Sequence, residues 1–293
     1  MKALIIAEHA AAAAELVAGA RTMADEVVAI SFGGAYECGA DKVLNITVPE
    51  SLTVDSAVET VNAAFDAENP EVVLVEACRH MKVIAGSLAF HADTAVITDV
   101  TAFEAEGAKS MYFGGIAERV QKAAGNVAIY TIGAGVFDGA EGANGSVAEQ
   151  EWVAPARPVK VVSSQVIEKS GVNLFKADVV VAAGRGFAEE SQLSMANDLC
   201  DKLGAGLACS RPLTEGVNWL PTERYVGVSG LMLTPKVYIA AGISGQMQHM
   251  VGCNRSGAIF AINKDKNAPI FKQCDFGLIG DIKDVLPAIT AAL

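Results

Sequence analysis

Short runs rich in valine and isoleucine alternate with alanine-rich stretches along nearly the whole chain, and this alternation constrains the fold most strongly. In the first half, six such runs are predicted to be strands, at residues 2–7, 27–31, 42–46, 72–76, 94–98 and 127–131. Residues 10–23 place Leu16, Val17 and Ala20 on one face, as a helix would. Strands that alternate with helices form βαβ units around a parallel sheet. The first half is therefore predicted to be α/β.

The second half repeats this alternation with sharper strand ends. Its strands are predicted at residues 177–182, 207–209, 225–228, 237–243, 258–263 and 277–280, and helices at 189–203 and 281–293. Glu189 and Glu190 stand at the start of the first of these helices, where the helix dipole favours acidic groups. The pattern predicts a second α/β unit with its own parallel sheet.

Length and charge predict a boundary between the two halves. The chain has 293 residues, of which 52% are hydrophobic, enough for two domains with separate cores. Residues 1–159 hold 9 basic and 22 acidic side chains, a net charge of −13, whereas residues 160–293 hold 13 basic and 12 acidic ones, a net charge of +1. We therefore predict an N-terminal α/β domain at residues 1–160 and a C-terminal domain at residues 161–293, each a Rossmann-like sandwich.

Composition argues against several classes of protein. The net charge of −12, with no cluster of lysine and arginine, disfavours a nucleic-acid partner. No apolar run reaches the roughly 18 residues of a membrane span, so we expect no membrane insertion. The six cysteines form no C-x-x-C pair and are typical of free thiols in a cytoplasmic protein. Since His9, His80 and His91 lie far apart in the chain, no metal site is predicted.

Glycine-containing loops follow two of the predicted strands in the second half. The strand at 237–243 runs into Gly242, Ser244 and Gly245, and helix-forming residues follow. Unpaired backbone N–H groups and a positive helix end at such a place favour an anion. Gly184-Arg185-Gly186 follows another strand, and its arginine could bind a pyrophosphate. A nicotinamide fingerprint is the rival interpretation, but Glu189 stands where its third glycine belongs.

Further polar residues stand at predicted strand ends, where ligands of open α/β sheets bind. They are Ser210, Arg211, Ser229, His249, Asn263 and Asp281. Four of them also have a structural alternative: an exposed arginine for Arg211, a turn at Gly-x-Ser-Gly for Ser229, a core histidine for His249, and a cap of the last helix for Asp281. The set contains no activated nucleophile, no paired carboxylates and no metal cluster. We therefore expect a site that binds and tunes a ligand, with no catalytic residue.

Together these motifs resemble the flavin-binding signature of the α subunits of electron transfer flavoproteins. The resemblance is strongest over residues 178–286 and covers the first half only in general architecture. It implies an FAD-binding domain of the DHS-like type at the C-terminal end. The cofactor contacts that it implies are Arg185, Ser210, Arg211, Val228, Ser229, Ser244, Gly245, Gln246, Met247, Gln248, His249, Asn263, Asp281 and Ile282. A positive lining of Arg211 and His249 would favour the negatively charged one-electron form of a flavin.

The resemblance also implies a function and partners. A chain of this family is an electron carrier without a substrate of its own, and it pairs with a separate β subunit that holds AMP or a second FAD. It would take electrons from a flavin dehydrogenase of the acyl-CoA type, in fatty acid oxidation, and pass them to a quinone reductase or another acceptor. Two alternatives stay open: a nicotinamide-dependent oxidoreductase, and a nucleotide-binding regulatory subunit without redox function.

One segment departs from the family pattern. Where the family usually reads Gly-Gln-Thr-Gly-Lys, this chain reads Gly227-Val-Ser-Gly-Leu231. An amide and an ammonium group are replaced by apolar side chains, while the hydroxyl is kept. Both replacements bear on the reduction potential of a bound flavin.

Overall fold

The chain divides into two compact units. The structure is a computed structural model and describes residues 1–139, 142–165 and 172–293. One unit comprises Met1–Tyr112 and Ala117–Val166, and the other comprises Phe113–Ile116 and Ile167–Leu293. Both are α/β, with sheets that are mainly or wholly parallel. Within the described ranges, no helix is long and apolar enough to span a membrane.

The first unit is built on a nine-stranded sheet. Its strands are β1 (Lys2–Ile6), β2 (Glu26–Phe32), β3 (Lys42–Ile46), β4 (Val72–Glu76), β5 (Val96–Glu104), β6 (Gly107–Tyr112), β7 (Ala117–Gln121), β8 (Ala128–Ile132) and β9 (Ser146–Glu149). Its α-helices are α1 (Ala10–Ala20), α2 (Val58–Glu68) and α3 (Arg79–His91). The strands lie in the order β7-β6-β5-β8-β4-β1-β2-β3-β9.

The middle of this sheet is parallel and is buried on both faces. Ile5 of β1 packs in one hydrophobic cluster with Leu16 and Val17 of α1. Its neighbours Leu4 and Ile6 pack in another cluster, with Leu88 of α3 among its members. Side chains of a strand point alternately to opposite faces, so a strand covered on both faces must be apolar throughout. This explains why the central strands are visible as apolar runs in the sequence.

One edge of the sheet differs from the predicted parallel architecture. β5 extends beyond the predicted residues 94–98 to Glu104 and pairs antiparallel with β6, which pairs antiparallel with β7. At the opposite edge, β9 pairs parallel with β3, and all its side chains are exposed. These edge strands are partly or wholly exposed, and their sequences lack the apolar run of a buried strand.

The second unit has a five-stranded, wholly parallel sheet. Its strands are β10 (Val179–Ala183), β11 (Gly206–Cys209), β12 (Val237–Ala241), β13 (Ala258–Asn263) and β14 (Phe276–Ile279), in the order β11-β10-β12-β13-β14. Its α-helices are α4 (Leu193–Leu203), α5 (Met247–Met250) and α6 (Ile282–Ala292). α4 and α6 pack against one face of the sheet, where Leu199 and Leu286 are fully buried.

Two predicted elements of this unit are wrong in part. The segment at 225–228 forms only isolated bridges, between Cys209 and Tyr225 and between Val226 and Leu231. It turns back on itself at Gly227, whose φ is +147°. The helix expected after Ser244 is the four-residue α5. A helix of one turn has a small dipole, so the anion argument for this loop depends on its backbone amides.

Candidate functional site

A cleft opens at the carboxyl end of the second sheet, where β10 and β12 lie side by side. The chain passes from β10 to β11 on one side and later to β12 on the other, so the direction of strand order reverses here. Ligands of open α/β sheets bind in the crevice at such a switch point. The cleft has a volume of about 780 Å³. Most of the predicted contact residues line it, namely Arg185, Ser210, Arg211, Val228, Ser229, Ser244, Gln246, Gln248, His249 and Asn263.

Glycines allow the two central loops to pack directly on each other. The backbone N–H of Gly186 donates to the Gly242 carbonyl at 2.9 Å. A Cβ added at Gly242 would lie 2.7 Å from the Gly186 Cα, and Gly242 has a φ of +65°. A Cβ at Gly184 would lie 2.3 Å from the Gly242 oxygen. No other residue type fits at this contact, which forms part of the wall of the cleft.

The remaining predicted contacts do not line the cleft. Gly245 has a φ of +80° and packs on Ile270, and its carbonyl accepts a hydrogen bond from Gln273 Nε2 at 2.9 Å. Met247 begins α5 and is partly exposed. Asp281 caps α6, since its carboxylate accepts from the Lys283 N–H at 3.0 Å, and Ile282 is buried in the core. The capping alternative for Asp281 is thus observed.

His249 lines the cleft and also contacts a buried residue of the sheet, Tyr238 of β12. Its Nε2 lies 3.0 Å from the hydroxyl of Tyr238, which is fully buried. Burial raises the pKa of Tyr238 well above its usual value of 10.0, so the phenol keeps its proton. The Nδ1 atom of His249 is buried and lacks a hydrogen bond of normal geometry to any described residue, although the Val226 carbonyl lies near the ring. A polar atom left in this state costs roughly 1–3 kcal/mol.

The charge of this site differs from the expected positive lining. Burial lowers the pKa of His249 from 6.5 to about 4, and the nearby Val226 carbonyl opposes this shift only in part. The ring is therefore neutral near pH 7. Arg211 Nε donates to Glu215 Oε2 at 2.5 Å, and this exposed pair places a carboxylate beside the guanidinium. The cleft is therefore less positive than expected: His249 adds no charge near pH 7, and Arg211 keeps its charge beside the carboxylate of Glu215.

Ser210 carries the second unpartnered polar atom of the cleft. Its backbone N–H donates to the Ala183 carbonyl at 2.9 Å, which ties the end of β11 to the end of β10. Its Oγ is buried and has no hydrogen-bond partner in the described chain. The turn that follows, Pro212–Gly216, is a single π-helical turn that holds Arg211 at the cleft mouth. Ser210 thus presents a hydroxyl whose hydrogen bonds the protein itself does not supply.

Both ends of the Asn263 amide make hydrogen bonds within the protein. Its Nδ2 donates to the Ile243 carbonyl at 2.8 Å, and its Oδ1 accepts from the Asp265 N–H at 2.9 Å. Both bonds fix the loops at the ends of β12 and β13. Tyr225 also lines the cleft, and its hydroxyl donates to the Ser229 carbonyl and so holds the Gly227–Gly230 turn.

Several other residues that line the cleft were not among the predicted cofactor contacts, although Gly186 and Gly242 belong to the glycine loops found in the sequence. They are Gly186, Pro212, Glu215, Gly216, Tyr225, Val226, Gly227, Gly242, Ile243, Asp265, Ala268 and Pro269. Glu215 could have been found, since it stands four residues after Arg211 in a helical turn. Ala268 and Pro269 carry no polar signal and reach the cleft only because the chain folds back after β13.

Comparison with known proteins identifies the family. Residues 3–157 match the electron transfer flavoprotein domain, and residues 173–254 match the electron transfer flavoprotein FAD-binding domain. The chain is 39% identical over 293 residues to the protein FixB of Escherichia coli O157:H7, covering 95% of this chain and 94% of that protein. FixB of Shigella flexneri is also 39% identical with the same coverage. The chain belongs to the family of electron transfer flavoprotein α subunits that includes FixB.

Proposed function

We propose that the second unit binds FAD in its cleft and that the chain is the α subunit of a heterodimeric electron transfer flavoprotein. The observation that carries this proposal is the pair of buried, unpartnered atoms in one cleft, Ser210 Oγ and His249 Nδ1. Among the described residues, five other buried atoms without partners lie in the first unit, whereas both of those in the second unit belong to residues that line this cleft. A bound polar ligand would complete their hydrogen bonds. The domain that holds them is the one that matches the FAD-binding model.

The residues of the cleft fit the parts of FAD. The isoalloxazine ring offers carbonyl oxygens and ring nitrogens, which would complete the hydrogen bonds of Ser210 and His249. Ser229 and Val228 stand on the Gly227–Gly230 turn, where a hydroxyl and an apolar side chain suit a planar ring. Arg185 is exposed at the cleft, and it suits the pyrophosphate together with the backbone amides near Ser244.

The adenosine end is proposed to extend along the sheet edge towards α6. β14 pairs with β13, and the Gly280 N–H donates to the Asn263 carbonyl at 3.1 Å. Asp281 and Ile282 follow directly, so they lie at the same edge, one strand beyond the cleft. Gly245 and Met247, in the loop after β12, complete the proposed contacts of this DHS-like FAD domain.

The protein contributes binding and tuning to this function. FAD supplies the redox chemistry, since it exchanges electrons singly or in pairs. A neutral His249, held by Tyr238, offers a hydrogen bond of fixed orientation without a charge. Arg211 supplies a positive charge that Glu215 partly offsets. The apolar Val228 and Leu231 add no further charge or hydrogen-bonding side chain near the turn.

The partners follow from the family. Electron transfer flavoprotein α subunits normally pair with a β subunit, which we propose holds AMP or a second FAD. We further propose a flavin dehydrogenase of the acyl-CoA type as the electron donor, in fatty acid oxidation. The acceptor would be a quinone reductase or another carrier, in the cytoplasm. In this scheme the chain carries electrons and has no substrate of its own.

Anaerobic reduction of the complex tests the proposal. The chain would be purified with its β subunit, its flavin content measured, and its visible spectrum followed during stepwise reduction. We expect a yellow protein with one FAD in the α subunit, reduced in two separate one-electron steps. A protein that stays colourless with added FAD and β subunit but binds an adenylate would be a regulatory subunit instead. Turnover of a nicotinamide by the isolated chain would favour a dehydrogenase.

A further inference from the structure

The first unit has a switch point of its own, between β1 and β4. From β1, the strands β2 and β3 lie on one side and β4, β8 and β5 on the other. At such a point the connections from two neighbouring strands run in opposite directions, and a crevice forms at the carboxyl ends of the strands. Open α/β sheets bind their ligands in this crevice. Glu8 and His9 follow β1, and Cys78 and His80 follow β4. The fold therefore brings together metal-binding residue types that lie about 70 positions apart in the sequence.

Three of these side chains converge. A carboxylate oxygen of Glu8, a ring nitrogen of His9 and Cys78 Sγ all lie within 4.8 Å of one another. Cys78 Sγ is 3.2 Å from Glu8 Oε2. Carboxylate, imidazole and thiolate are the ligand types that Zn²⁺ takes in proteins. The Cys78 thiol donates its proton to Glu8 Oε2 in the hydrogen bond, and this proton would be released to solvent when an ion binds. None of the three residues is fully buried, so the cluster is open to an ion from solvent.

A second carboxylate orients His9. Glu76 Oε1 lies 2.7 Å from His9 Nδ1. Glu76 Oε2 accepts from the backbone N–H groups of Glu8 at 2.8 Å and of His9 at 3.1 Å, so the carboxylate itself is fixed. Metal-binding histidines characteristically donate one ring N–H to a carboxylate or carbonyl group, which fixes the tautomer. A neutral His9 that donates its Nδ1 hydrogen to Glu76 keeps a lone pair on Nε2, and we assign this nitrogen to the ion.

His80 holds the carboxylate of Glu8 from its other side. Its Nδ1 lies 2.9 Å from Glu8 Oε1 and 3.0 Å from Oε2. His80 is not one of the three converging groups, and we assign it a positioning role. Each of two converging side chains, Glu8 and His9, thus has its own supporting partner. This is the layered arrangement that metal sites require to keep their ligands in place.

We propose that Glu8, His9 and Cys78 bind one divalent ion of the zinc class. Tetrahedral zinc ligands lie about 3.3 to 3.8 Å apart, so the groups need to move by about 1 Å. The His9 side chain is 65% exposed, so a small tilt of the ring that keeps its bond to Glu76 can close this gap. Three protein ligands leave a fourth position for water. The net charge of −13 over residues 1–159 favours a cation at this edge.

Cobalt titration of the full chain tests this site, because a thiolate bound to Co²⁺ gives a near-ultraviolet absorption band. Under reducing, anaerobic conditions, we expect saturation at one Co²⁺ per chain and displacement by Zn²⁺. Cys78→Ser should abolish the band. Cys274→Ser, which changes another partly exposed cysteine in the second unit, should leave it unchanged.

The supporting carboxylate gives an independent readout. Glu76→Gln should weaken Co²⁺ binding by about 10- to 100-fold while leaving the band intact at saturation. Circular dichroism of each variant would establish that it is folded. A wild-type chain without a saturable band, or a band lost equally in Cys274→Ser, would overturn the proposal and leave these groups as a hydrogen-bonded network. Neither result depends on whether the second unit binds FAD.

Discussion

Burial of His249 makes the stability of the second unit depend on pH. The pKa of this ring is about 4 in the folded chain, chiefly because burial penalises its charged form, whereas the usual value is 6.5. Between these two values the unfolded chain binds a proton that the folded chain does not. The contribution to stability is therefore fully present above pH 6.5 and is lost as the pH falls towards 4.

The size of the effect follows from the two pKa values. Proton linkage lowers the free energy of unfolding by about 2 kcal/mol at pH 5, relative to its value above pH 6.5, and by a limit of about 3 kcal/mol below pH 4. His249→Gln keeps a polar group beside Tyr238 but cannot titrate. The difference in free energy of unfolding between wild type and variant should therefore change by about 2 kcal/mol between pH 7.5 and pH 5. Titration of other groups cancels in this difference.

Urea unfolding of the flavin-free full chain measures this difference. The chain has two tryptophans, Trp152 in the first unit and Trp219 in the second. In a Trp152→Phe background, fluorescence reports the second unit alone. His91→Gln, which removes a histidine paired with Asp66 in the first unit, is the matched control and should leave the pH dependence unchanged.

The reasoning would be refuted by a constant difference between wild type and His249→Gln over this pH range. Such a result would mean that the ring ionises equally in the folded and unfolded chains. The neutral hydrogen bond proposed for the flavin site would then lose its basis. A change of the opposite sign would indicate a charged ring with a stabilising partner.

Three further substitutions test the packing, the unpartnered hydroxyl and the charge of the cleft. Gly242→Ala should lower the free energy of unfolding by at least about 1 kcal/mol more than Gly204→Ala does, and it should abolish FAD retention. Both glycines have φ near +60°, but only Gly242 faces close backbone. Equal losses of stability in the two variants would contradict this. Ser210→Ala should raise the free energy of unfolding of the flavin-free chain by up to about 1 kcal/mol and weaken FAD binding about tenfold. Ser110→Ala, which removes another unpartnered hydroxyl, should leave FAD affinity unchanged. A flavin-free Ser210→Ala chain less stable than wild type would argue against an unpartnered hydroxyl. Glu215→Gln should increase FAD affinity severalfold at low salt and by a smaller factor at high salt, because it removes the carboxylate beside Arg211. Unchanged affinity at both salt concentrations would show that Glu215 does not weaken the attraction of Arg211 for FAD.

The central strands could be predicted because burial on both faces requires an unbroken apolar run. β3, β4 and β13 begin and end where the sequence predicts. β6 and β7 could not be predicted in this way, because their side chains are mostly half-exposed or exposed. β9 is exposed throughout and pairs with β3 across about 100 residues, so nothing in its local sequence indicates the partner.

The site shows the same division between local and long-range information. Ser210 and Arg211 could be found because they stand just beyond a strand, and parallel strands bring such positions to one edge. His249 could be found because it follows the glycine-containing loop after β12. The charge of His249 could not be predicted from the sequence, because it depends on burial of the ring against Tyr238. The convergence of Glu8 and Cys78 likewise depends on the adjacency of β1 and β4, which spacing along the chain does not show.

If FAD completes the hydrogen bonds of Ser210 Oγ and His249 Nδ1, as we propose, the lifetime of the chain in the cell depends on the supply of riboflavin. A protein whose interior hydrogen bonds are completed by a ligand is stabilised by mass action, by about 2.7 kcal/mol when the free ligand is at 100 times its Kd. That factor lowers the unfolded population about 100-fold, and proteases act on this population. Under our proposal, riboflavin-starved cells should accumulate less of this chain even when its synthesis is unchanged.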